Sequence, residues 1–264
     1  MNKIEVAVID LHNDPAGMMV ALARLTQRGH KISTMADLKA MFAESCYAKP
    51  ALKRSIAALP HGTIKRFCPI TVAIVGASRR FLAQARTHQV GFNYVSASLQ
   101  YSDYSGKAQF VVPYALIEAE AKGKMIGNWK PTEFYIDCCE DAMDTYECIA
   151  EVSDNDTAGY AAPQGLRNIL IMQANHEAWM NFIRARSCNR NTNETQYVTL
   201  RIWEELLKTP DGETMFQLAG PDCLHGACRE GSMTCGGPLK KYKRELSIPT
   251  RIINDRWPLL RQED

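Results

Sequence analysis

Arg86 and His88, then Asn93, Ser96, Ser98 and Gln100, fall within fifteen residues in the segment AQARTHQVGFNYVSASLQYS, residues 83–102. Two basic side chains followed by hydroxyls and amides are too polar for a core helix and suit a focused anion site. Arg86 has a counterpart far along the chain, Arg186, and guanidinium forks grip phosphate or carboxylate better than any other side chain. The alternative for each arginine is a surface charge or a helix-capping charge. A second cluster is Cys223, His225, Cys228 and Cys235, within thirteen residues among glycines. Three thiolates and an imidazole could hold a tetrahedral zinc, although C-x-H-x2-C-x6-C lacks the usual two-pair form. The alternative is a reduced tail or redox-active thiols.

These residues need a scaffold, and the composition allows one. The chain has 264 residues, 46% of them hydrophobic, enough for a full core. A net charge of +2 without a long basic run argues against nucleic acid as a partner and leaves a focused anion pocket open. No run of 18 apolar residues occurs and no signal peptide is expected, so the expected location is cytoplasmic, with no membrane contact. Nine cysteines, an odd count in a long chain, argue against a disulfide scaffold. Cys46, Cys68, Cys148 and Cys188 are expected as small buried hydrophobes. Cys138-Cys139 is expected as one surface and one core residue at a helix start.

Apolar IEVAVID begins as a strand. DPAGMMVALARLTQRG has a helix start at Asp14-Pro15 and a stop at Gly29. Short helices follow over DLKAMFAE and ALKRSIAAL, on either side of Pro50. PITVAIVGAS is β-prone, and Ser78 is placed to cap a helix over RRFLAQARTHQ. Residues 107–135 are expected to be partly irregular, CEDAMDTYECIAEV a helix, and SDNDTAGYAAP a loop. QGLRNILIMQANHEAWMNFIRAR is predicted as one long helix, with Leu166, Leu170, Ala174, Ala178 and Phe182 as its apolar stripe. NETQYVTLRIWEELLK is the last amphipathic helix before Pro210-Asp211-Gly212. The fold class expected is α+β, mostly helical with a small mixed or antiparallel sheet.

Taken in order, the polar residues resemble the signature of the flavin-dependent thymidylate synthase family: R-H-R, then S-x-N-E, then S-x-R-Y. Arg86-Thr87-His88 stands at R-H-R, Phe92-Asn93 at the aromatic–Asn pair, and Ser96 at the serine. A second register places Ser98-Leu99-Gln100-Tyr101 on S-x-R-Y; both registers stay open. The family's His-x-Thr is matched by His61-Gly62-Thr63. Its later Pro, Asn, Asn and Arg are matched in spacing by Pro163, Asn175, Asn181 and Arg186. The resemblance runs from about residue 1 to 207. It implies a family-like domain over 1–210 followed by a Cys/Gly-rich extension over 211–264.

What the resemblance implies is a reductive methylation. A pyrimidine deoxynucleotide, deoxyuridine monophosphate (dUMP), would take a carbon from methylene-tetrahydrofolate. FAD would carry the hydride and NADPH would reduce the flavin. Arg86, Ser96 and Ser98 would stand at the reacting nucleotide. Gln84, His88, Gln100 and Arg186 would complete its binding site. His61, Thr63, Asn93, Asn175 and Asn181 would face the flavin. The family's homotetramer would place these residues in shared sites. Departures are Glu177 and Gly159, each standing where the family has an arginine, and, in the first register, Tyr94 at the signature glutamate. The signature's last arginine is Ser98 or Gln100. Arg79, Arg80, Arg167, Arg184 and Arg190 are available as replacements. The rival expectation is a catalytically silent relative that binds a nucleotide or assembles through a zinc-stapled tail.

Overall fold

The computed structural model describes residues 4–226, 228–242 and 248–261, the side chain of Arg261 excepted. In chain order, strand β1 (Glu5–Leu11) precedes helices α1 (Pro15–Arg28), α2 (Met35–Cys46), α3 (Pro50–Ala58) and α4 (Gly62–Lys65). Strand β2 (Ile70–Ser78), helix α5 (Arg79–Ala85) and strand β3 (Phe92–Ser96) follow. Helices α6 (Tyr114–Ala121), α7 (Pro131–Val152) and α8 (Asn155–Ala158) lead to strand β4 (Arg167–Ala174). Helices α9 (His176–Arg186), α10 (Asn193–Lys208), α11 (Gly212–Met215), α12 (Asp222–His225) and α13 (Ile248–Arg256) complete the described α-helices. The expected α+β class is the one observed: mostly helical, around one antiparallel four-stranded sheet of order β1-β2-β4-β3.

Strands β2 and β4 form where β-branched residues concentrate, Ile70, Thr71, Val72, Ile74 and Val75 in β2 and Ile169 and Ile171 in β4, and they pair from Ile70↔Ala174 to Ser78↔Arg167. One sheet face is the core. Val72, Ile74, Leu170, Met172 and Phe92 meet Met19 of α1, Phe81 of α5, Trp179 of α9 and Leu200 of α10 in a single cluster. Trp179 also donates its ring N–H to the carbonyl of Ile70 at 3.1 Å, so its polar edge is satisfied inside the core. On the opposite face Val75, Val95 and Ile169 stay exposed. Residues after Lys208 add to the same core through Phe216, Leu224, Tyr242, Ile252 and Trp257. Lys53 ties the start of α1 to the start of α11, reaching Asp14 at 2.9 Å and Asp211 at 3.2 Å.

Three expectations are corrected. The predicted long helix over 164–186 is strand β4 followed by helix α9, broken at Asn175. Leu166, Leu170 and Ala174 are spaced by four, which is also a multiple of the strand period of two. Leu170 and Ala174 alternate inward along β4 with Asn168 and Met172, and Leu166 is buried one residue before the strand. Residues 92–96 form edge strand β3, and residues 107–135 are partly irregular, as expected, around α6 and the start of α7. The loop over 153–163 contains the one-turn helix α8. Of the four cysteines expected in the core only Cys68 is buried: Cys46 and Cys148 are exposed and Cys188 is half-buried. Cys138 is exposed and Cys139 buried, as expected.

Candidate functional site

Helix α5 and strand β3 form a hairpin-like unit that carries the Arg86 segment. Ser78 caps α5, its Oγ accepting from the N–H of Phe81 at 3.1 Å. Glu194 of α10 fixes that cap, accepting from the Ser78 N–H at 2.7 Å and from its hydroxyl at 2.5 Å. Burial raises the pKa of the Glu194 carboxyl, and the two bonds from Ser78 oppose the rise. After Arg86 the chain turns at Gly91, φ +79°, where an added Cβ would press on Ala178 at 3.0 Å. Strand β3 then runs back alongside α5. This return brings Arg86 Nη2 to 2.6 Å from Ser96 Oγ, which accepts its proton.

Tyr94 closes the same unit. Its hydroxyl lies 2.8 Å from the carbonyl of Ala85 and 2.7 Å from that of His88, so its proton is shared between two acceptors at the end of α5. Burial raises its pKa and keeps the phenol protonated. The unit borders a cavity of about 580 Å³. Arg79 enters it from the start of α5 and Arg86 from just past its end, Ser96, Ser98 and Gln100 come from β3 and the segment after it, and Asp156, Gln164 and Asn168 complete the lining.

Arg186 takes a different place. Half-buried at the end of α9, it donates to His88 Nε2 at 2.8 Å, Asn191 Oδ1 at 3.1 Å and Thr87 Oγ1 at 2.7 Å. It braces the turn that follows Arg86 and does not line the cavity. Since Nε2 of His88 accepts, its proton sits on Nδ1, a tautomer assigned from the network. Burial and the Arg186 charge both lower the pKa of His88. Gln84 also faces away, its Oε1 accepting from the hydroxyls of Thr192 and Thr195.

The expected flavin residues form a second locus. His61 precedes α4 and both it and Thr63 are exposed. Gly62 lies so close to the Glu177 carboxylate that a Cβ there would collide with it. Arg66 pairs with Glu177 at 2.5 Å, and Lys65, its pKa lowered by burial and raised by Glu177, stands nearby. Asn175 caps α9 through Oδ1, 3.0 Å from the Ala178 N–H, next to the Gly91 turn. Asn181 is exposed and accepts from Arg184 at 3.0 Å. Asn93 projects on the open sheet face, 3.4 Å from Gln173. Within one chain the structure thus gathers Arg86, Ser96, Ser98 and Gln100 in one cavity. His61, Thr63 and Asn175 stand around the starts of α4 and α9, with Asn93 and Asn181 apart.

The cysteine tetrad does not assemble as expected. Cys223, Cys228 and Cys235 line a cavity of about 190 Å³ together with Cys188, whereas His225 commits its Nε2 to the Ala219 carbonyl at 2.7 Å. Among the described residues, no three His, Cys, Asp or Glu side chains are grouped to hold a metal ion. No helix among them is long and apolar enough to cross a membrane.

Sequence reasoning missed Asn168, Gln164 and Asp156 in the cavity wall, and Thr87 and Asn191 as partners of Arg186. Asn168 carried a signal, a buried amide inside a β-rich run, which the helix prediction hid. The others are ordinary polar residues with nothing local to distinguish them.

The family model described as thymidylate synthase complementing protein matches residues 7–209. The chain is 26% identical over 251 residues to a flavin-dependent thymidylate synthase of Geobacter sulfurreducens, covering 93% of this chain and 100% of that protein. A second flavin-dependent thymidylate synthase, from Clostridium tetani, is 24% identical over 190 residues, covering 66% of this chain and 71% of that protein. Among solved structures, thymidylate synthase X of Helicobacter pylori with FAD and dUMP aligns with TM-score 0.58 and 16% identity, over 81% of this chain and 97% of that one. A UMP/dUMP methylase, PolB of Streptomyces cacaoi, bound with 5-Br dUMP, aligns with TM-score 0.61 and 14% identity, over 83% and 96%. With the family model spanning most of its length and the fold agreeing, this chain belongs to the Thy1 family, the flavin-dependent thymidylate synthases.

Proposed function

We propose that the protein is a flavin-dependent enzyme that methylates C5 of a pyrimidine deoxynucleotide, with dUMP as substrate, methylene-tetrahydrofolate as carbon donor and NADPH as reductant. The observation that carries this reading is the cavity bordered by Arg86 and Ser96, a guanidinium hydrogen-bonded to a hydroxyl, with no carboxylate paired to the guanidinium among the described residues. Arg86 supplies charge-assisted donors to an anionic nucleotide. Ser96 and Ser98 provide hydroxyls and Gln100 an amide, groups able to donate and accept toward sugar and base. Arg186 positions rather than contacts: it holds Thr87 and His88, and so fixes where Arg86 points.

The residues present fit a flavin. Glu177 would oppose the cofactor's phosphates, but Arg66 neutralises it and Lys65 adds a further cation at the start of α9. His61, Thr63 and Asn175 would hold the cofactor there, with Asn93 and Asn181 reaching a site shared with another copy. Bound flavin would supply the hydride chemistry. The chain's own task is to bind, orient and stabilise charge. The exposed apolar face bearing Val75, Val95 and Ile169 supports self-association into a homotetramer.

One observation favours a second reading, a nucleotide-binding relative without turnover: all three guanidinium nitrogens of Arg186 are already engaged within the chain. Incubation with dUMP, methylene-tetrahydrofolate, FAD and NADPH, followed by mass analysis of the nucleotide, separates the two. A nucleotide heavier by one methylene unit supports the enzyme. Flavin and nucleotide bound but unchanged supports the second reading.

A further inference from the structure

Arg79 is the first residue of α5, seven positions before Arg86 on the same cavity wall. It is half-buried, its Nε is buried without a partner, and it forms no ion pair with a described carboxylate. Burial lowers its pKa, Tyr104 opposes that, and the Arg86 charge adds a smaller lowering of its own. Two guanidiniums that repel one another, one holding a buried unmatched donor, destabilise the protein on its own. Such an arrangement becomes favourable once an anion lies between them. Asp156 is the one carboxylate in the cavity lining, so positive charge stays in excess.

Gly159, beside the cavity-lining Leu99 and Asp156, explains why a second cation is needed on α5. The resemblance puts a family arginine at Gly159. There an added Cβ would lie 3.2 Å from the Leu99 Cβ and 3.2 Å from the carbonyls of Asn155 and Asp156. A side chain there would press on Leu99, which lines the cavity together with Asp156. We propose that Arg79 and Arg86 form a two-guanidinium clamp for the phosphate of the substrate nucleotide, with Arg79 supplying from α5 the charge missing at Gly159. This inference rests on the function proposed above and assigns the anionic end of the substrate.

The test is calorimetric titration of the full-length protein and of Arg79→Gln with dUMP and with deoxyuridine, which lacks the phosphate. Arg79→Gln should weaken dUMP binding about 10- to 100-fold, the loss of one charge-assisted contact, and leave deoxyuridine binding unchanged. The thermal midpoint of the ligand-free protein should hold or rise, because a repelling half-buried cation has been removed. Arg79→Lys, which retains charge without the fork, should recover part of the affinity and carries the same comparison should the glutamine variant not fold. Equal loss for both ligands, or unchanged dUMP binding, would overturn the proposal. A wild-type protein that binds neither ligand would instead sink the proposed function itself.

Discussion

Arg186 donates its Nε to Nε2 of His88 at 2.8 Å, linking the end of α9 to the turn that follows Arg86. Residues 98 positions apart are thereby joined, and the same guanidinium reaches Thr87 and Asn191. The position of Arg86 depends on this brace.

Arg186→Lys retains the charge but loses the planar fork that serves three acceptors at once. It is expected to lower stability by about 2 kcal/mol in urea unfolding. It should also weaken nucleotide binding by loosening the Arg86 turn. Wild-type stability in this variant would show that the brace does not matter.

Acid should destabilise the protein over a defined window. His176 is fully buried, its Nε2 2.7 Å from the Met215 carbonyl, and burial lowers its pKa to about 4. The folded state thus binds fewer protons than the unfolded one between the ordinary histidine value and about 4. Stability is full above the unfolded pKa and is lost as pH falls through this range, by about 3 kcal/mol. His88, also lowered, acts in the same direction. Denaturant unfolding across pH should show the slope, and His176→Gln should flatten it while retaining a donor toward Met215.

Glu177→Gln removes the carboxylate that occupies Arg66. Because Arg66 is largely exposed, stability should change little. If the flavin's phosphates sit by α4, freeing this cation should tighten FAD binding about threefold to tenfold, read by flavin fluorescence. Weaker FAD binding would place the cofactor elsewhere.

Tyr94→Phe deletes the hydroxyl shared by the Ala85 and His88 carbonyls. A loss of about 1 kcal/mol in urea unfolding is expected, with weaker dUMP binding. No change in either would show that Tyr94 does not hold the α5–β3 turn.

The parts of this architecture legible in the sequence are those governed locally. Asp14-Pro15 set the start of α1, Ser78 the cap of α5, and the run from Asn193 to Lys208 became α10 with the bounds expected. Strand β4 was hidden because its apolar spacing fits both periods, and only its pairing with β2 and β3 decides. The candidate site was legible in its residue types and not in their directions. Gln84 and Arg86 are two apart at the end of α5, yet one faces α10 and the other the cavity. Glu177 read as a repelling charge because its neutralising partner, Arg66, lies 111 positions away. The cysteine set shows the same limit: Cys188, remote in sequence, joins the cavity that neighbouring His225 turns away from.

The central claim is that the Arg86–Ser96 cavity holds the nucleotide beside bound flavin. Titrating dUMP into flavin-loaded protein while recording the visible flavin spectrum tests it most directly, with Arg86→Ala in parallel. The wild-type spectrum should shift and saturate, and the variant should need at least about tenfold more dUMP. Identical titrations of the two proteins would contradict the account.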